Sequence, residues 1–188
     1  MTQPSPCHKV VARNFTHLAQ PELLLILERR NHPEVRRWMR HTEPIAVADH
    51  LRFCASLATK PEVLMLLVTY DAQPACILTY HATDTSWQHL SDSGVYGFAP
   101  EPCSTSILSR LIRLKLIALR GISSHQIKVK NTNEMALFAN QYYHGFRMVA
   151  QDDEYTTLYL TYPESAAYYE AQAQELMRTN HLSLELEL

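Results

Sequence analysis

The stretch Gly94–Gly121, GVYGFAPEPCSTSILSRLIRLKLIALRG, holds a strand, a loop and a helix in immediate succession. Pro100 and Pro102 end the strand, because proline offers no N–H to a sheet ladder. Ser104, Thr105 or Ser106 can cap the helix that follows. Gly121 stands where a C-terminal stop belongs. Upstream, Pro61–Asp84 contains two β-rich runs joined by the turn signal DAQP, which predicts an antiparallel hairpin. Downstream, HQIKVKN predicts a short strand, NEMALFANQYYHGF a helix running into Gly145, and EYTTLYLTY a last strand.

The flanks are helical. Pro21 opens PELLLILERR, as suits a first helical position. Pro33 breaks that run, and PEVRRWM restarts it. In AVADHLRFCASLA, Val47, Leu51, Cys54 and Ala58 mark one face, while His50, Phe53 and Leu57 mark a second, between core and cleft. ESAAYYEAQAQELMRTN predicts a terminal helix and HLSLELEL a loose end. The order predicts one α/β domain with a central mixed, mostly antiparallel sheet flanked by helices, and not a doubly wound parallel fold. Residues 1–14 read as an extension, 15–162 as the domain, and 163–188 as a C-terminal helix and tail.

Composition narrows the function. The 188 residues carry a net charge of −2, which argues against a nucleic-acid partner. LLLIL and LMLLV are too short to span a membrane, and Met1–Phe15 lacks the apolar run of a signal peptide. The four cysteines are scattered, and none of the ten histidines falls into HxH or HExxH, so no metal is expected. A reducing, cytoplasmic setting follows. Glycine occurs only 4 times, where usage near 7% would give about a dozen.

The arginines cluster. Glu28–Met39, ERRNHPEVRRWM, holds four arginines and a histidine around one proline. That run and HLRF at His50–Phe53 are unlike residues at fixed offsets. With the element order, they resemble the GNAT family of acetyl-CoA-dependent N-acetyltransferases. The closest resemblance is to the UDP-amino-sugar N-acetyltransferases of pseudaminic acid biosynthesis, which serve flagellin glycosylation. The likeness runs through GVY and P…IL, over residues 15–162.

The resemblance implies a GNAT fold, acetyl-CoA as donor and a UDP-amino sugar as acceptor. It implies that Arg30 and His50 help hold the nucleotide, that Met39 and Phe53 wall the sugar pocket, and that Tyr96 contributes to the nucleotide site. His81, two residues beyond Thr79, is a further candidate near the nucleotide. The chemistry is apt: arginine offers diphosphate a planar, permanently charged fork, and Met39 and Phe53 suit the methyl edge of a deoxy sugar. Arg29, Arg36, Arg37 and Arg40 read as a solvated helix face.

The donor half departs from the family. GNAT enzymes hold the coenzyme pyrophosphate on a glycine-rich turn before a helix, (Q/R)xxGxG/A; here Cys103 and Thr105 fall at the glycine positions. Ser104, Thr105 and Ser106 still offer hydroxyls and amides to an anion, or form a plain cap. The family's acid pattern, NxxAxxxY before a GF-like pair, matches Asn133 and Ala136, and Asn133 joins the expected coenzyme site. The tyrosine position then falls on Asn140, or on Gln141 counted back from Gly145–Phe146. The segment therefore carries one extra residue, and a helical bulge would bring Tyr142 to the acid position, since one residue turns a helix by about 100°. Tyr143 is the second choice. No carboxylate marks a base, leaving His81 or water.

Three functions follow: an acetyl-CoA-dependent N-acyltransferase, a catalytically impaired binding or scaffold protein that keeps the nucleotide-sugar side, or an acyltransferase using another donor such as an acyl-carrier protein. A monomer and a homodimer both remain open.

Overall fold

A computed structural model describes residues 7–188. β1 (His8–Asn14) leads into α1 (Gln20–Asn31), α2 (Pro33–Arg36) and α3 (Val47–Ser56). β2 (Val63–Tyr70), β3 (Gln73–Ala82) and β4 (His89–Gly97) follow, then α4 (Thr105–Arg120), β5 (Ser124–Lys130) and α5 (Glu134–Phe138). A π-helical turn (Ala139–Tyr143) extends α5, and β6 (Arg147–Gln151), β7 (Tyr155–Thr161), α6 (Ala166–Thr179) and β8 (Leu182–Glu187) complete the chain.

Among the described residues one sheet holds all the strands, in the order β6-β7-β5-β4-β3-β2-β1-β8. Only β4–β5 and β1–β8 pair in parallel, so the sheet is mixed and mostly antiparallel, as expected. Strand alternation divides the core. Leu64, Leu66, Val68, Cys76, Leu78 and Tyr80 face α4 and α6, while Leu67 and Ile77 turn to α1 and α3. Leu108, Leu111, Ile112 and Leu116 form the buried stripe of α4. Gly121 ends that helix at φ +67°, a conformation that costs glycine no Cβ clash, and its N–H reaches the Ile117 carbonyl at 3.0 Å.

Three differences from the sequence expectation stand out. The segment read as an N-terminal extension supplies β1, and the tail read as loose supplies β8, which pairs with β1 from His8↔Leu182 to Arg13↔Glu187. β6 went unseen because all five of its residues are exposed, leaving no apolar rhythm to read. In α3 and its continuation the buried stripe is His50, Cys54 and Leu57, whereas Val47 is exposed. His50 belongs to that stripe because spacings of four and three return to one side of a helix.

The parallel strands β4 and β5 share ladder pairs at His89↔Ser124 and Leu90↔His125 alone among the described residues. Beyond that point β4 runs on to Gly97 and β5 to Lys130 without pairing. The sheet thus opens into a wedge in which β4 and β5 no longer pair with each other.

Candidate active site

One side of the wedge is built by the arginine run. Asn31 ends α1 as an amide clamp: its Nδ2 donates to the Ile45 carbonyl at 2.9 Å, and its Oδ1 accepts from the Ile45 N–H at 2.8 Å. Arg30 Nη2 donates to the His41 carbonyl at 3.0 Å. Together they tie the loop before α3 to the end of α1. Arg29 Nε reaches across to the Gly97 carbonyl at the end of β4. Arg40 pairs with Asp92 of β4 at 2.8 Å, and Lys130 of β5 donates to the Arg37 carbonyl at 3.3 Å. The α2 segment is therefore anchored to both strands of the wedge.

This corrects the reading of a solvated arginine face. Arg37 fits it, exposed and stacked on Trp38 at 4.8 Å, and Arg40 is exposed as well while it pairs with Asp92. Arg29 and Arg40 are committed to β4, and Arg36 turns its Nε into a buried position without a partner. The break at His32–Pro33 redirects the chain, which sequence periodicity alone does not show.

Arg30 and Tyr96 lie close enough to influence each other's charge. Burial lowers the Arg30 pKa, an effect the Tyr96 phenol beside it opposes. Tyr96 itself is packed against the α1–α3 core, and burial raises its pKa, opposed by Arg30. Phe53 is 40% exposed, with Lys60 Nζ 5.6 Å from its ring centre, and Met39 is half-buried. His81 pairs with Asp92 across β3–β4. His50 takes another place: it is buried, its Nε2 lies 2.9 Å from the Leu23 carbonyl, and Cys54 Sγ sits at 3.6 Å. Burial lowers its pKa. Its hydrogen bond staples α3 to α1.

The other end of the wedge is the strand–loop–helix turn. Ser104 is the N-cap residue but makes no side-chain cap bond. Thr105 Oγ1 donates to Glu101 Oε1 at 2.6 Å. A Cβ added to Gly97 would lie 3.1 Å from that same carboxylate oxygen, so the strand end, the carboxylate and the helix start are in close contact. Ser106 is exposed. Glu101, overlooked in the sequence, occupies the turn with negative charge. Its loop position between two prolines gave no pattern that marks this.

Across the wedge, Asn133 caps α5, its Oδ1 accepting from the Ala136 N–H at 3.2 Å. The extra residue is taken up by the π turn: the His144 N–H bonds to the Ala139 carbonyl, five residues back, at 3.2 Å. Asn140 folds inward to the Ala136 carbonyl. Tyr142 is 78% exposed and stacks on Phe138 at 4.6 Å; Tyr143 is also exposed and meets Phe138 edge-on.

A polar cluster lies beneath. His125 of β5 is 1% exposed, with Nε2 2.8 Å from Ser93 Oγ and Nδ1 3.3 Å from the Tyr162 hydroxyl. Burial, then Arg113, lowers its pKa to about 3. Arg113 of α4 donates to His144 Nδ1 at 3.0 Å, and His144 is lowered to about 4 by burial, then by Arg113. Among the described residues no cluster of His, Cys, Asp and Glu could hold a metal ion, and no helix is long and apolar enough to cross a membrane.

No protein-family model and no curated protein sequence matches the chain. Solved structures do. The chain is similar to the crystal structure of Campylobacter jejuni N-acetyltransferase PseH, with 22% identity over 81% of this chain and 97% of that one, at a TM-score of 0.66. It is also similar to FdhC, described as a nucleotide-linked sugar GNAT, with 10% identity over 96% of this chain and 97% of that one, at 0.68. A third is the spermidine N-acetyltransferase of Vibrio cholerae with CoA and spermine, with 9% identity over 86% and 98%, at 0.70. The fold is that of the GNAT acetyltransferases.

Proposed function

We propose that this GNAT-fold chain is an N-acetyltransferase that moves an acetyl group from acetyl-CoA to the amine of a nucleotide-linked amino sugar. One observation carries the acceptor side: Arg30, at the wedge beside Tyr96, keeps a buried Nη1 with no hydrogen-bond partner. A buried guanidinium donor left unpaired is costly, and a phosphate oxygen would satisfy it. The neighbours agree in chemistry, since PseH has been solved with acetyl coenzyme A and FdhC is called a nucleotide-linked sugar GNAT.

The residues divide the work. Arg30 and Tyr96 hold the nucleotide, with Met39 and Phe53 along the sugar. The wedge fits an acyl-pantetheine arm, because β4 and β5, no longer paired with each other, offer N–H and carbonyl groups to its amides. Ser104, Thr105 and Ser106, with Asn133 across the wedge, lie toward its pyrophosphate. Acetyl-CoA supplies the acetyl group as a thioester. The acceptor nitrogen forms the C–N bond, the C–S bond breaks, and the Tyr142 hydroxyl gives its proton to the departing sulfur. The amine proton leaves to water or His81.

A second reading is favoured by Glu101. A carboxylate bonded to Thr105 sits where the coenzyme diphosphate would lie, which suits a donor with less negative charge there, such as phosphopantetheine on a carrier protein. The four free cysteines suit a reducing, cytoplasmic setting.

The test is isothermal titration with acetyl-CoA and, separately, a UDP-sugar, followed by thiol release from acetyl-CoA with a UDP-4-amino sugar. Binding of both ligands with release of thiol supports the enzyme. Binding of the UDP-sugar alone would leave a nucleotide-sugar protein without this donor, and binding of neither would reduce the likeness to fold.

A further inference from the structure

Among the described residues, two buried side-chain polar atoms lack any hydrogen-bond partner, Arg30 Nη1 and Arg36 Nε. Both are guanidinium donors. Neither arginine has a carboxylate within ion-pairing distance; the arginines that do are Arg13, Arg40, Arg52 and Arg178. The two lie near enough that the Arg36 charge helps lower the Arg30 pKa, after burial. A continuous helix would keep them apart, since six residues rotate about 120° off the starting face and rise about 9 Å. The extended backbone of His32, at ψ 133°, and Pro33 at the start of α2 break that helix, and Arg30 Nη2 bonds the carbonyl of His41, the residue before Thr42, which lines the same cleft as Arg36.

Two like charges held close, each with an unpaired buried donor, are unfavourable unless an anion lies between them. Beside Arg36 an open cleft of about 450 Å³ is lined by Pro33, Arg36, Arg37, Thr42 and Glu43, within the roughly 300–1,000 Å³ of small-molecule sites. Its polar groups change character away from the arginines: Thr42 offers a hydroxyl and Glu43 a carboxylate, acceptors suited to ribose hydroxyls or base N–H groups.

Resting on the nucleotide-sugar reading, we propose that Arg36 is the second arm of a diphosphate clamp with Arg30, and that the Pro33–Glu43 cleft receives the nucleoside. Arg36 thereby sets the demand for a nucleoside diphosphate rather than a bare sugar.

The experiment is titration of the full chain with UDP, uridine and inorganic pyrophosphate, with acetyl-CoA measured in parallel. Arg36→Gln is expected to weaken UDP by at least about tenfold, as loss of a charged, forked contact should, and to leave acetyl-CoA unchanged. Arg52→Gln, which removes one positive charge from α3 instead, leaves UDP unchanged. Arg36→Lys keeps the charge without the Nε donor and is expected to recover only part of the affinity; melting curves confirm that each variant folds. UDP binding unaffected by Arg36→Gln but weakened by Arg30→Gln overturns the clamp and leaves the nucleotide-sugar reading standing. Pyrophosphate binding as tightly as UDP overturns the nucleoside cleft, whereas competition by uridine supports it. A wild-type protein that binds acetyl-CoA but not UDP overturns both.

Discussion

Asn140 and Tyr142 show how one residue of chain decides which side chain is offered to chemistry. Counted from Asn133 and Ala136, the family spacing falls on Asn140, whose amide is turned back to the Ala136 carbonyl. The π turn widens the helix and carries Tyr142 outward with its phenol free of protein hydrogen bonds among the described residues. Tyr142→Phe should therefore lower kcat by about 10- to 100-fold with little change in KM, the effect of removing a general acid, while Tyr143→Phe leaves kcat near wild type. Equal loss in both would point to the aromatic stack on Phe138 instead. His50 makes the opposite case. Its ring is consumed by the Leu23 carbonyl, so His50→Ala should cost about 1–3 kcal/mol of stability through an unmade buried hydrogen bond. Its effect on UDP affinity should be smaller than that of Arg30→Gln, read by denaturant unfolding alongside titration.

At the scale of elements, the strand–loop–helix turn was foreseen in outline and not in charge. The strand β4, the loop and α4 were legible because prolines, hydroxyl residues and Gly121 punctuate them. What the loop does to an anion depends on where Glu101 folds, which sequence spacing does not encode. The carboxylate takes the favourable end of the α4 dipole, so an entering diphosphate must displace it. Glu101→Gln should tighten acetyl-CoA several-fold while leaving S-acetylpantetheine, which has no phosphate, unchanged. A gain for both donors would trace the effect to the shape of the loop. The arginine run was legible in the same partial way. Composition marked Arg30, but only the α1–α2 break shows that Arg29 reaches back to β4, that Arg36 buries its Nε, and that Arg40 spans to Asp92 from an exposed position.

At the scale of the whole molecule, the strands missed in the sequence are those whose stability comes from elsewhere. β8 alternates Leu and polar residues, yet it acquires meaning only beside β1 at the far end of the chain. The wedge is likewise a property of the sheet, since β4 and β5 part after two residue pairs. Under that wedge the sheet buries His125 and half-buries His144 against Arg113. Their folded pKa values, about 3 and about 4, lie below the unfolded value near 6.5. Between those limits the unfolded chain binds more protons, so stability rises with pH and is lost as pH falls from 6.5 toward 4. His125 contributes a slope of about 1.4 kcal/mol per pH unit, and His144 less, because solvent partly screens it. His50, also lowered, acts in the same direction. Asp92, raised from 3.8 by burial, opposes them over the lower part of the window. The lowered carboxylates Glu22 and Glu170 enter only below about 4.5. The melting temperature should thus drop between pH 7.5 and pH 5, before any paired carboxylate titrates. His144→Gln, which keeps an acceptor for Arg113, should shrink that drop. An unchanged melting temperature over this range would mean that the cluster under the wedge is open to water and holds its histidines no differently from the unfolded chain.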